Sequence, residues 1–158
     1  MEIVLWFLED ENGCSQVLET IKSLGEEAGG SPEKGQLSLY VLSALDFLES
    51  IGLPLALTVF FTTKRKDGGL YTIRVVKELV NHPPLLEFRV NWRGAGAFRA
   101  LFFAYEIKDI QFLVFVRATI KLATYSPEFE KIIKVTKSVY STFIQSPEKY
   151  INLKGDEE

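Results

Sequence analysis

Between Leu85 and Lys121 the chain reads LLEFRVNWRGAGAFRALFFAYEIKDIQFLVFVRATIK, three short apolar runs joined by a glycine turn and a polar turn. Short apolar runs separated by tight turns are the pattern of an antiparallel meander. Each run carries one arginine: Arg89, Arg99 and Arg117. An arginine among apolar strand neighbours is costly unless its charge reaches an anion or a partner. Three guanidinium groups on one sheet face would make a phosphate-binding surface, because the planar fork matches phosphate oxygens two at a time. The alternative is three exposed edge arginines, and spacing does not separate the two.

With 158 residues the chain has the length of one domain with its own core. We place that domain at residues 1–152 and read 153–158, which include KGDE, as an acidic tail. Cys14 and His82 each stand alone, so neither a disulfide framework nor a thiolate metal site is expected. No metal and no cofactor are called for, and any Ser–His or Cys–His pair would have to use that one histidine. The apolar runs are too short to span a bilayer and no signal-like segment is present, so the expectation is a cytoplasmic protein with no membrane partner.

Charge is unevenly distributed. Residues 1–60 hold ten acids against two bases, whereas residues 61–125 hold eleven bases against five acids. The pI near 5.4 argues against a basic coat over the whole molecule. A local cluster still matters more for steering phosphate than the sum does. Lysines and arginines that merely protect strand edges would give the same bias.

Periodicity supplies the remaining elements. Ile3–Leu8 reads as a strand and Glu9–Gly13 as a polar turn. Ser15 caps a short helix to about Leu24, and Ser31-Pro32-Glu33 starts a second, whose stripe Leu37, Tyr40, Val41, Ala44, Leu45 and Leu48 ends at Gly52. Leu53–Thr63 and Leu70–Lys77 read as strands around an Asp-Gly turn, and His82-Pro83-Pro84 interrupts the ladder. Strands at about Leu85–Trp92, Ala97–Tyr105 and Ile110–Arg117 follow, then a helix from Ser126-Pro127-Glu128 with Phe129, Ile132, Ile133, Val139, Tyr140 and Phe143 on its apolar face. The fold class is α+β: a strand and helical hairpin on a mainly antiparallel sheet, closed by a C-terminal helix.

Six strings in this order resemble the RelE/ParE superfamily of small bacterial and phage toxins, most of all its phage-derived, HigB-like branch. They are WFLEDENGCSQVLETIKSL, DFLESIGLPL, LLEFRV, AFRALFFAYE, FLVFVRATIK and YSPEFEKII, and together they touch most of the chain. Each is weak alone; their order and spacing carry the likeness. The chain departs from the pattern in its extra material around Lys64–Pro84 and in a sparser lysine content. Glu87 and Arg89 stand where the family places two basic residues, and His82 falls on no matching position.

The resemblance implies a RelE-like fold and the toxin of a toxin–antitoxin pair, an endoribonuclease that cuts mRNA, commonly on the ribosome. In that chemistry the 2′-hydroxyl attacks the adjacent phosphate. It implies an antitoxin partner, normally of helix-turn-helix type. Carried over residue by residue, Arg99 takes the scissile phosphate, Arg117 and Lys121 neutralise the leaving oxygen, and Tyr125 stacks on or orients a base. Arg89 is a second phosphate contact, and Trp92 and Arg93 form either a loop over the RNA or a plain exposed turn. Two rival readings stand beside this one. The acidic amino-terminal half and Glu87 suit a non-cutting toxin-like module that binds protein or RNA, and the phenylalanine-rich strands suit an unrelated ligand pocket.

Overall fold

The computed structural model describes residues 1–151, so the acidic tail lies outside the described residues. The architecture is the expected α+β. Strand β1 (Glu2–Phe7) is followed by helices α1 (Gln16–Glu26) and α2 (Pro32–Ile51). Then come β2 (Phe61–Lys64), β3 (Leu70–Ile73), β4 (Val76–Glu78), β5 (Leu86–Trp92), β6 (Gly96–Ile107), β7 (Ile110–Lys121) and helix α3 (Pro127–Gln145). The main sheet has the order β1-β7-β6-β5-β4, with β1 parallel to β7 and the other pairs antiparallel.

All three helices start where the serine caps place them. The hydroxyls of Ser15, Ser31 and Ser126 accept from the amides of Leu18, Lys34 and Phe129 at 3.2, 3.3 and 3.2 Å. Each satisfies one amide that the first helical turn leaves without a partner. Helix α2 ends at Gly52, whose φ of +62° suits glycine and whose missing Cβ makes room for Ile3.

Alternation along the strands divides the core in two. Phe88, Val90, Phe98, Ala100, Phe102 and Phe115 face α1 and α2. On the opposite face Phe103 and Val114 meet Phe143 of α3, and Leu101 meets Ile132 and Ile133. A bulge opposite Leu101–Phe102 shifts the β6–β7 register, so Phe102 faces Phe115 whereas Leu101 faces Arg117. Lys108 and Asp109, both with positive φ, turn β6 into β7, as a two-residue hairpin requires.

Two stretches differ from expectation. Leu53–Thr63 is not one strand: Leu55–Leu57 forms a short 3-10 turn and β begins only at Phe61. Pro54 has no amide to give a ladder, and the Gln111 side chain takes both the amide and the carbonyl of Leu53, at 2.9 and 3.2 Å. Leu70–Lys77 breaks at Arg74–Val75. Its first half pairs with β2 in a separate hairpin and its second half becomes the edge strand β4. Tyr71 fastens that hairpin to the main sheet: its ring stacks on Tyr40 with centroids 4.0 Å apart, and its hydroxyl donates to the Asn91 carbonyl at 2.7 Å.

Candidate nucleic-acid interface

Helix α3 packs on Leu101 through Ile132 and Ile133, and its first turn reaches Lys121 through Phe129. Past Leu101, register decides what stands on that face. Arg89 faces Arg99 across β5 and β6, Arg99 faces Thr119 on β7, and Ala97 faces Lys121. Lys121 is therefore the last residue of β7, not a residue beyond it. Arg117 lies on this face too, opposite Leu101.

The three arginines thus share a face, but they do not converge on one site. Arg99 opens into a groove of about 820 Å³ between the β5–β6 turn and the segment after β7. Arg89 opens into a cavity at the β4 edge, and Arg117 into one beside the Glu9–Asn12 turn and α3. Beside the bulge, Arg117 Nη1 donates to the Val116 carbonyl at 2.8 Å, and its cavity also holds Asp10. Arg117 is therefore not beside the groove where the resemblance would use it.

Lining the Arg99 groove are three cations, Arg93, Arg99 and Lys121, and no carboxylate. The β5–β6 turn is a built wall. Its Ala95 is buried, and the Ala95 amide donates to the Trp92 carbonyl at 3.0 Å. Gly96, at φ +103°, lets the turn press on β7, since a Cβ there would sit 2.9 Å from the Lys121 carbonyl oxygen. Trp92 and Arg93 lead into this turn, with Arg93 exposed.

Arg99 is held. Its Nε lies 3.7 Å from Glu87 Oε2 and its Nη1 donates to the Phe98 carbonyl at 3.1 Å. Burial pulls the guanidinium below the usual arginine value, Glu87 opposes that and Arg89 adds to it. A buried cation that keeps its charge on so little compensation gains from any further anion. Lys121 rests its ammonium 4.8 Å from the Phe129 ring centroid of α3, a cation–π contact at the groove's edge.

Two aromatic assignments separate. Trp92 points to the α1–α2 side, edge-on to Tyr40 and Tyr71, with the guanidiniums of Arg65 and Arg93 at 5.4 and 5.6 Å from its ring centroid. It packs with both arginines and also lines the groove. Tyr125, by contrast, is 74% exposed, just past the groove-lining residues Leu122–Thr124. Arg65 and Lys66 line a second, smaller cavity that shares Trp92 and Arg93 with the groove. They sit in the Lys64–Gly69 turn, whose density of cations was the signal for them in the sequence. Cys14 is exposed in the turn after β1, and His82 lies in the β4–β5 turn; neither borders the groove.

No family model matches the chain, and no curated protein or solved structure matches it significantly. Among the described residues no helix is long and apolar enough to cross a membrane.

Proposed function

We propose that the protein is a RelE-like toxin that binds single-stranded RNA in the Arg93–Arg99–Lys121 groove and cleaves it by 2′-hydroxyl attack on the adjacent phosphate. The observation that carries this is the groove's lining, three cations without a carboxylate. The order of the six toxin-like strings adds support. In this reading Arg99 holds the scissile phosphate and stabilises the charge that gathers on its oxygens. Lys121 neutralises the departing 5′-oxygen, Arg93 takes a neighbouring phosphate, and exposed Tyr125 stacks on a base. The 2′-hydroxyl gives its proton to solvent water and its oxygen bonds to phosphorus as the bond to the 5′-oxygen breaks; that oxygen takes a proton from water, leaving a 2′,3′-cyclic phosphate and a 5′-hydroxyl. Such a site works by positioning and charge. An antitoxin would hold the protein silent in the cytoplasm.

One observation favours a second reading, a toxin-like module that binds RNA without cutting it. The Glu87 carboxylate already partners Arg99 and weakens its pull on phosphate. Incubating purified protein with mRNA, with and without ribosomes, separates the two. Cleavage gives fragments ending in 2′,3′-cyclic phosphate, lost in Arg99→Gln. Binding without fragments selects the module, and neither binding nor growth arrest on expression rejects both.

A further inference from the structure

Beside the groove, the same sheet face carries positive charge onward to its far edge. Lys121 stands on β7, Arg99 on β6, Arg89 opposite it on β5, and Lys77 on β4 opposite Glu87. Glu87 is the acid in this row, and its carboxylate is taken by Arg99. With neighbouring strands about 4.8 Å apart, the four strands span about 14 Å, more than one phosphate needs.

At the β4 end the row opens into a cavity of about 590 Å³ lined by Phe60, Thr72, Arg74, Lys77 and Arg89, with no carboxylate among its lining residues. Arg89 lines this cavity, and its Nε is buried with no hydrogen-bond partner. A buried guanidinium N–H without an acceptor is an uncommon state that an anion would relieve. Among the described residues Arg74, Lys77 and Arg89 have no carboxylate within salt-bridge distance. Phe60 is 53% exposed and carries the Arg74 guanidinium 5.0 Å from its ring centroid, an aromatic and cationic pair of the kind that grips unstacked bases.

We propose that this cavity is a second subsite for single-stranded RNA, in which Arg89, Arg74 and Lys77 bind a phosphate and Phe60 a base of the strand whose scissile phosphate lies at Arg99. This rests on the RNA reading above. It makes the extra material around Lys64–Pro84 a substrate-holding device: the break at Arg74–Val75 turns both cations and the β2–β3 hairpin toward the sheet edge. The substrate is then a strand crossing the sheet, long enough to reach from β7 to β4.

The test uses the full chain and fluorescein-labelled oligouridylates of two lengths, one covering the Arg99 groove and one long enough to reach Phe60. Arg74→Gln/Lys77→Gln should bind the long oligomer about tenfold more weakly, leave the short one unchanged, and lower the log–log salt slope by about 0.7, the share of the one phosphate held there. Both side chains are exposed, so the melting temperature should stay put. Phe60→Ala should weaken the long oligomer without altering the slope. If wild type binds both lengths and all variants match it, the subsite falls while the RNA reading stands. If wild type binds neither length, both fall. If a polyglutamate peptide of equal charge displaces the long oligomer as well as unlabelled RNA does, the cavity takes acidic protein and the proposal is overturned.

Discussion

Arg99→Ala tests both the structural and the functional weight of the groove's central residue. The Glu87 and Arg99 side chains are 8% and 15% exposed, and Glu87 Oε2 has Arg99 Nε 3.7 Å away. Removing the arginine strands a carboxylate in the sheet. Breaking a buried pair costs about 3–5 kcal/mol, and the long contact with some residual solvent places this pair near 3. At about 2–4 °C per kcal/mol for a chain of this size, thermal midpoints should fall by about 6–12 °C. Glu87→Gln keeps the shape but leaves the Arg99 charge without its counter-ion, so it too should cost about 3 kcal/mol, while freeing Arg99 for phosphate, so RNA affinity should rise. The double variant Glu87→Gln/Arg99→Ala removes the stranded charge and should recover most of the stability but none of the RNA binding. Thermal melts and equilibrium RNA binding on the four proteins complete the cycle. A midpoint within about 2 °C of wild type for Arg99→Ala would refute the pairing. Full RNA binding by the double variant would refute Arg99 as the phosphate ligand.

Three further outcomes follow from the same contacts. Burial pushes the Tyr71 hydroxyl up to about 12, so its stabilising effect is complete below pH 10 and is lost as pH rises from 10 toward 12; melts across that range should steepen in wild type and flatten in Tyr71→Phe. Phe103 is fully buried against Tyr140 and Phe143, with centroids 4.9 and 5.0 Å away, so Phe103→Ala should cost about 3–5 kcal/mol in chemical denaturation by unseating α3. An antitoxin bound to this chain should protect the open sheet or α3, near Lys131, Lys134 and Lys137, from hydrogen exchange, because acidic residues crowd the first helices; protection confined to residues 15–50 would contradict it.

Much of the scaffold was legible because its signals are local. Serine caps, proline at the first helical position and the Asp-Gly turn each act within a few residues, and all stand where expected. Alternation then put Arg89 and Arg99 on one face. What escaped depends on distant partners. Gln111, from a strand nearly sixty positions away, takes the backbone of Leu53 and ends the expected strand. A bulge beside Arg117 and a cavity shared with the turn after β1 set its surroundings, and neither leaves a mark in spacing. Nor does spacing show that Trp92 packs edge-on to Tyr40 and Tyr71, two residues from distant parts of the chain.

The most direct test of the groove is the salt dependence of binding for a short single-stranded RNA. Three phosphate contacts, at Arg93, Arg99 and Lys121, should give a log–log slope of about −2, at roughly −0.7 per contact. The Arg93→Gln/Arg99→Gln/Lys121→Gln variant should bring that slope close to zero together with the loss of affinity. A flat response in wild type, or a steep one that survives the triple substitution, would contradict the account.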